Sequence, residues 1–422
     1  MNDRAEKPIG WGAGPRTRAA KLKRRYPTIE DLRKRAKKRV PSFGFDYVEG
    51  GAGETEPCVA RNRAALDAVE IVPRYGVENL PVSIEVELFG RRYAMPLGIA
   101  PMGLPGLMWP GGEYAFADAA QKARAPFTLG SSAGAPVERM AERCPDAIWY
   151  QLYRVPRDDL RINFDMVKRA VACGVNVLVL TLDVPARTKR PRELRNDLVI
   201  PYRPNVRTIR ELLMRPAWLM ALRKGGQPSF ANYPRYVGDN PSHAAVATFV
   251  KREVGGAFSW EEVKRFRDAW PRALVVKGIL HPEDAERAVS LGVDGVQVSN
   301  HGGRQLEGAP ASIDVLPAIA RAVGDRATVL FDGGIRSGMD VIRAIALGAK
   351  AALTGRPFMY GLGALGLEGP QFVMEFFEEE IRAALRQCGV RTLAELPTLA
   401  RRHPGAWEFP AAAAARRAVA AE

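Results

Sequence analysis

Between residues 96 and 354, eight short apolar runs alternate with helical stretches, and most runs end in a polar or ionisable residue. The last two runs lead into glycine-rich turns that carry arginine, Asp332-Gly333-Gly334-Ile335-Arg336 and Gly355-Arg356. This pattern predicts an α/β chain folded as a (β/α)8 barrel (a TIM barrel), with an N-terminal helical extension and an insertion after the fourth strand. A doubly wound sheet shows the same alternation. However, no G-x-G-x-x-G follows the first run, which argues against a Rossmann arrangement.

The elements follow in order. Thr28-Ile29-Glu30-Asp31 opens one short helix, and a second ends near the glycine cluster that follows Tyr47. The first strand is expected at 96–100, then a helix at 112–123. Strand 127–130 precedes helix 136–143, and strand 148–152 precedes helix 163–173. The run 177–182 is almost wholly apolar, as a strand covered on both faces should be. Alternation breaks over 202–257. Ser259-Trp260-Glu261-Glu262 is a capping-box signature for a helix reaching Trp270. Strand 273–276, helix 282–290, strand 294–298, helix 313–323, strand 328–331, helix 337–347 and strand 351–354 complete the eight.

The totals exclude several classes. A chain of 422 residues, 47% apolar, can bury a large core. No run is long and uncharged enough to span a bilayer, and no signal peptide opens the chain. Cys58, Cys144, Cys173 and Cys388 lack paired or metal-like spacing, so no metal site is expected and a reduced, cytoplasmic setting fits them. The net charge is +15, much of it within the first 25 residues. That stretch, 1–26, reads as a basic, poorly ordered arm, and no nucleic-acid module accompanies it. Residues 391–422 read as a C-terminal tail beyond a catalytic body at 27–390.

A barrel places its chemistry at the C-terminal strand ends. Those positions hold Ala100-Pro101-Met102-Gly103, Gly130, Gln151 with Tyr153, Thr181 with Asp183, Lys277, and Ser299-Asn300-His301. Glycines before a helix start, together with Arg336 and Arg356, suit a phosphate; alternatively they serve tight turns. Lys277 sits in an apolar strand and needs an electron-rich partner. His301 paired with Asp183 makes a general base, the alternative being an aspartate that merely caps a turn. Arg304, three residues on, can grip a carboxylate with two parallel hydrogen bonds.

With Ser299-Asn300-His301-Gly302-Gly303-Arg304-Gln305-Leu306 and the two Gly/Arg turns, the chain resembles the FMN-dependent α-hydroxy acid oxidases and dehydrogenases over about 27–390. The resemblance implies FMN as cofactor and a small 2-hydroxy acid, lactate- or mandelate-like, as substrate. It implies His301 as the base and Asp183 as its partner. Arg304, Arg190 and Tyr47 fall where the family holds the substrate carboxylate, and Tyr153 where a phenol meets the substrate hydroxyl. Lys277 matches the lysine at the flavin N1–C2=O edge. Ala100, Pro101, Met102, Gly103, Gly130, Gln151, Thr181 and Ser299 match contacts to the flavin ring. Asp332, Gly333, Gly334, Arg336, Gly355 and Arg356 match the ribityl-phosphate site. Gly103, Leu104, Gly106, Trp109 and Pro110 look more like the mandelate dehydrogenase branch. Ser132 stands where glycolate oxidase has a pocket tryptophan, which implies a roomier pocket, and Arg187 lies in a loop near it. The resemblance also implies a homo-oligomer, commonly a tetramer.

Within 202–257, Arg203, Arg207, Arg210, Arg215, Arg223 and Lys224 interleave with Leu212, Leu213, Met214, Trp218, Leu219, Met220 and Leu222. This suits a helix lying in the headgroup region of an anionic membrane, on the inner face of the cytoplasmic membrane. Alternatively it is a lid packed on the barrel. Membrane contact would make a quinone the electron acceptor, whereas a soluble oxidase would use O2. Two further classes carry the same frame: an FMN barrel of the isopentenyl diphosphate isomerase type, and a flavin-free regulatory barrel. Tyr47, Tyr153, Arg190 and Arg304 together favour a carboxylate substrate over the first, and the second would have to ignore the entire mouth of the barrel.

Overall fold

The computed structural model describes residues 17–77, 81–196 and 205–409. Eight parallel strands close into a barrel: β1 (Leu97–Ile99), β2 (Phe127–Gly130), β3 (Ile148–Leu152), β4 (Val177–Thr181), β5 (Ala273–Ile279), β6 (Gly295–Val298), β7 (Thr328–Phe331) and β8 (Ala351–Thr354). Strands β2, β3, β4, β6 and β8 are buried at every position, which is why their sequences read as unbroken apolar runs rather than alternating ones. Parallel registers such as Gly130↔Gln151 and Thr181↔Lys277 bring the polar strand ends side by side at one rim. A hairpin of Val86–Leu88 and Arg91–Tyr93 plugs the opposite end. Its turn residue Phe89 packs on Trp149, whose indole N–H donates to the Tyr93 hydroxyl at 3.0 Å.

Several expectations need correction. The basic arm does not stay loose through residue 26: Arg18–Arg25 is a helix capped by Thr17, tied to the body by Arg18–Glu368 and Lys23–Glu379, and followed by buried Tyr26. Residues 1–16 lie outside the described residues. The folded body also continues beyond 390. Arg401–Arg402 pairs antiparallel with Glu70–Ile71, and His403 is buried 3.2 Å from Asp314. Beyond the last strand, Arg356–Leu365 and Gly369–Cys388 are helices, although Gly361, Gly363, Gly366 and Gly369 look like loop residues. Gly361 lets the two helices touch, since a Cβ there would lie 2.5 Å from Val373, and Gly363 lets the first pack closely on Val40 and Met108, each 2.9 Å from where its Cβ would be.

The insertion divides in two. Residues 228–257 pack on the barrel rim and line part of its mouth: Asn232 is buried and bonds Ser131 O, Ala135 O and Val137 N, and Tyr233, Phe249 and Val250 join the core. The earlier helices, Val206–Leu213 and Pro216–Gly225, leave Val206, Ile209, Leu213, Met214 and Met220 exposed. Trp218 is not a headgroup residue. It is buried against Phe43, with ring centroids 5.7 Å apart. Of the basic residues in that pattern, Arg203 lies outside the described residues.

Candidate active site

One cavity of about 730 Å3 opens at the C-terminal rim. Tyr47, Ala100, Pro101, Met102, Gly103, Tyr153, Arg190, Lys277, His301 and Arg304 line it, as do Asp332, Gly333, Gly334, Arg336, Gly355 and Arg356. Tyr47 arrives from outside the barrel, on helix Ser42–Glu49, and donates its hydroxyl to Gly103 O at 3.2 Å. Gly130, Gln151, Thr181 and Ser299 do not line the cavity. They are buried in its wall, where Gln151 Nε2 donates to Thr181 Oγ1 at 2.8 Å and Gly130 leaves room for the Gln151 amide.

At the centre, His301 Nδ1 faces Asp183 Oδ1 at 2.9 Å, and Nε2 lies 3.3 Å from the Tyr153 hydroxyl. With its proton on Nδ1, the ring presents the Nε2 lone pair to the cavity. Asp183 can come this close because β5 bulges after Lys277: Gly278 has φ +99, and any Cβ there would lie 2.5 Å from Asp183. Burial pushes the imidazole below its ordinary pKa, Asp183 offsets part of this, and Lys277 adds to the lowering. Burial alone would raise the Asp183 carboxyl, but the charges of His301 and Lys277 hold it below its usual range. The resting pair is therefore neutral imidazole beside carboxylate, a base with its counter-charge in place. Burial also holds the Tyr153 phenol well above its ordinary value, so it stays a hydrogen-bond donor.

Two guanidinium groups converge beside this pair. Arg304 donates to Tyr47 O and Gly50 O, each at 2.8 Å, and Arg190 donates to Arg304 O and Gln305 Oε1, each at 3.2 Å. Burial and the neighbouring Arg190 lower Arg304 to about 10. Glu193, which the sequence reading passed over, touches both: its Oε1 lies 3.1 Å from Arg190 and 3.3 Å from Arg304. One carboxylate between two cations leaves a positive surplus for an anionic ligand. The Arg190/Glu193 spacing of three residues was the available signal. Arg187 lines the cavity, as expected, while its guanidinium also caps the end of helix His243–Glu253 through the carbonyls of Val250, Lys251 and Val254.

Lys277 finds its electron-rich partners within the protein. Nζ donates to Ser299 Oγ at 2.7 Å and lies 3.3 Å from Asp332 and 3.9 Å from Asp183. Burial would lower its pKa, but the two carboxylates raise it, so it stays charged at the cavity wall. Asp332 also accepts from Gln297 at 2.6 Å and from Ser299, which commits it to this cluster.

At the far end, Arg336 is half-buried, and its side chain donates to its own neighbour, Ile335 O, at 2.8 Å. Arg356 donates to Gly302 O, Gly50 O and Val48 O. Neither arginine forms a direct ion pair with a carboxylate among the described residues, although Glu49 acts on both at longer range. Desolvation lowers the pKa of Arg336, and the neighbouring Arg356 and Arg63 add to the lowering. With Gly333 and Gly334 at φ +123 and +86, two guanidiniums and open backbone amides fit a phosphate tail. The donor set therefore fits a flavin mononucleotide.

The chain matches the family model "FMN-dependent dehydrogenase" over residues 36–402. It is 38% identical over 368 residues to (S)-mandelate dehydrogenase of Pseudomonas putida, covering 87% of this chain and 92% of that protein. It is likewise 38% identical over 367 residues to L-lactate dehydrogenase of Azorhizobium caulinodans, covering 87% and 96%. Among solved structures it is similar to the monotopic membrane protein (S)-mandelate dehydrogenase, with a TM-score of 0.83, 37% identity, and coverage of 89% of this chain and 99% of that one. A mandelate oxidase superposes with a TM-score of 0.76 at 36% identity, covering 90% and 99%. The chain belongs to the FMN-dependent dehydrogenase family.

Proposed function

We propose that this enzyme oxidises an L-2-hydroxy acid, lactate- or mandelate-like, to the 2-oxo acid. The observation that carries the reading is the meeting, in one cavity, of an oriented imidazole with two guanidiniums that share a single glutamate. Arg190 and Arg304 hold the substrate carboxylate, with Tyr47 closing that side. Tyr153 meets the substrate hydroxyl. His301 Nε2 takes the proton released as the α-carbon is oxidised, and Asp183 stabilises the resulting imidazolium. Bound FMN supplies the sink for the substrate's two electrons. Lys277, Arg336, Arg356 and the Gly333–Gly334 backbone would hold it. Fixing the carboxylate and the base on one rim places the α-carbon relative to both, the positional part of the rate enhancement.

The acceptor we propose is a membrane quinone. Val206, Ile209 and Leu213 recur on one face of their helix, and Met214 and Met220 are also exposed, with Arg210, Arg223 and Lys224 close by in sequence. No helix among the described residues is long and apolar enough to cross a membrane, so the contact would be peripheral, on the inner face of the cytoplasmic membrane. A homotetramer completes the proposal. The test is a panel of 2-hydroxy acids assayed with a quinone analogue and with O2. Fast quinone reduction without peroxide supports the reading, and fast peroxide formation would make the enzyme an oxidase.

A further inference from the structure

Helix Pro57–Asp67 lies outside the barrel, and neither Asn62 nor Arg63 lines the main cavity. Asn62 is nevertheless only 2% exposed and forms a reciprocal amide pair with Asn300, the residue before His301. Its Nδ2 donates to Asn300 Oδ1 at 2.9 Å, and Asn300 Nδ2 donates back to Asn62 Oδ1 at 2.8 Å. Asn300 Nδ2 also lies 3.2 Å from Cys58 Sγ on the same helix, and its other bonds go to the loop itself. Oδ1 also accepts from Gly303 N at 3.2 Å, Nδ2 also reaches Pro310 O at 2.9 Å, and the backbone N–H donates to Ser312 Oγ at 2.9 Å.

This loop needs outside support. His301, Gly302 and Gly303 have φ of +57, +63 and +77, three left-handed residues in succession. Histidine adopts that conformation when its surroundings impose it. A Cβ on Gly303 would lie 2.8 Å from Val59 N, so the turn is also pressed against the same helix. The neighbouring Arg63 donates to Gly334 O at 2.7 Å and to buried Asp340 at 2.6 Å. Gly334 in turn rests on Asn62, where a Cβ would lie 2.9 Å from its carbonyl oxygen. One helical turn thus grips both the loop bearing the base and the loop offered to the phosphate.

We propose that Asn62 is a positioning residue for the reaction: through Asn300 it holds the left-handed turn that aims His301 and Arg304 into the cavity. Arg63 does the same for the Gly333–Gly334 loop. The inference rests on the reading of His301 as the base, so flavin reduction by 2-hydroxy acids is measured first in the wild-type holoenzyme. No reduction by any acid would remove that reading, and the amide pair would then be judged by proteolysis alone.

The test uses Asn62→Asp, which keeps the volume but cannot donate to Asn300 Oδ1, and Asn62→Ala. Both are expected to keep near-stoichiometric flavin while the anaerobic flavin-reduction rate falls about 10–100-fold, as for other supporting residues around a site. The acid limb of the pH profile should move up toward the ordinary histidine value, because a loosened imidazole is less buried. Trypsin should cut faster after Arg304. Arg63→Gln should instead raise the dissociation constant for FMN, read by fluorescence titration of flavin-free protein. Wild-type reduction rates, pH profile and trypsin sensitivity in both Asn62 variants would overturn the proposal, whatever happens to the melting temperature. Failure of both variants to fold would overturn it too, since the residue would then serve the fold and not the turn.

Discussion

His301 Nδ1 and Asp183 Oδ1 are 2.9 Å apart, joined across the barrel mouth from the ends of β6 and β4. The contact exists because Gly278 has no side chain to obstruct it. It fixes which ring nitrogen faces the cavity, and with it the direction in which a proton can move.

Replacing the base should abolish turnover and spare the cofactor. His301→Gln is expected to lower kcat by about 10^2–10^4-fold with flavin content unchanged, the range for loss of a positioned proton acceptor. Steady-state rates and the flavin absorbance ratio check it, and a variant with wild-type kcat would remove the assignment.

Asp183→Asn has a signed effect on pH dependence. In the wild type, burial lowers the His301 pKa and Asp183 partly offsets it. Removing the carboxylate should therefore lower the imidazole pKa further and move the acid limb of kcat/KM to lower pH. The rate should also fall by about 10^3-fold, because the imidazolium loses its counter-charge. An acid limb shifted upward would contradict this electrostatic account.

Glu193→Gln leaves Arg190 and Arg304 without their shared carboxylate. Inhibition by small carboxylates such as oxalate should strengthen by about tenfold, consistent with roughly 1.5 kcal/mol for a hydrogen bond to a charged group. Inhibition constants measured at fixed ionic strength decide it, and weaker inhibition would show that Glu193 shapes the pocket more than it competes for it.

Arg336→Met removes a half-buried cation whose side chain donates to a backbone carbonyl. The dissociation constant for FMN should rise about 10–100-fold, the range for one hydrogen bond between charged groups. Fluorescence titration of the flavin-free protein reads this directly, and unchanged affinity would move the phosphate elsewhere.

A combined Val206→Ser, Ile209→Ser, Leu213→Ser variant should lose binding to anionic vesicles yet keep substrate-driven flavin reduction. Each side chain contributes about 1.5–3 kcal/mol when fully buried, so the partition coefficient should drop roughly a thousandfold or more. Removing the whole of 202–257 is no substitute, because Asn232 and Tyr233 are buried against the barrel rim. Undiminished co-sedimentation of the triple variant would reject this face as the membrane contact.

The strands were legible because burial on both faces leaves uninterrupted apolar runs, and several helices because their caps are local, as at Ser259 and Ser337. The candidate site residues at strand ends followed from barrel geometry and from the motif at 299–306. What stayed hidden depends on contacts distant in sequence. Asn62 and Asn300 are 238 positions apart, and nothing local to either marks the pair. Helix Arg356–Leu365 was masked by glycines whose purpose is close packing. In the insertion, composition suggested a single membrane-facing segment, but only three-dimensional packing shows Trp218 turned inward and Leu213 turned outward.

The most direct measurement is anaerobic mixing of the purified, flavin-loaded enzyme with L-lactate, (S)-mandelate and related 2-hydroxy acids while flavin absorbance is followed. The account predicts rapid bleaching by at least one L-acid, no bleaching by its mirror image, and recovery of colour when a quinone is added. A flavin that stays oxidised with every acid would contradict it.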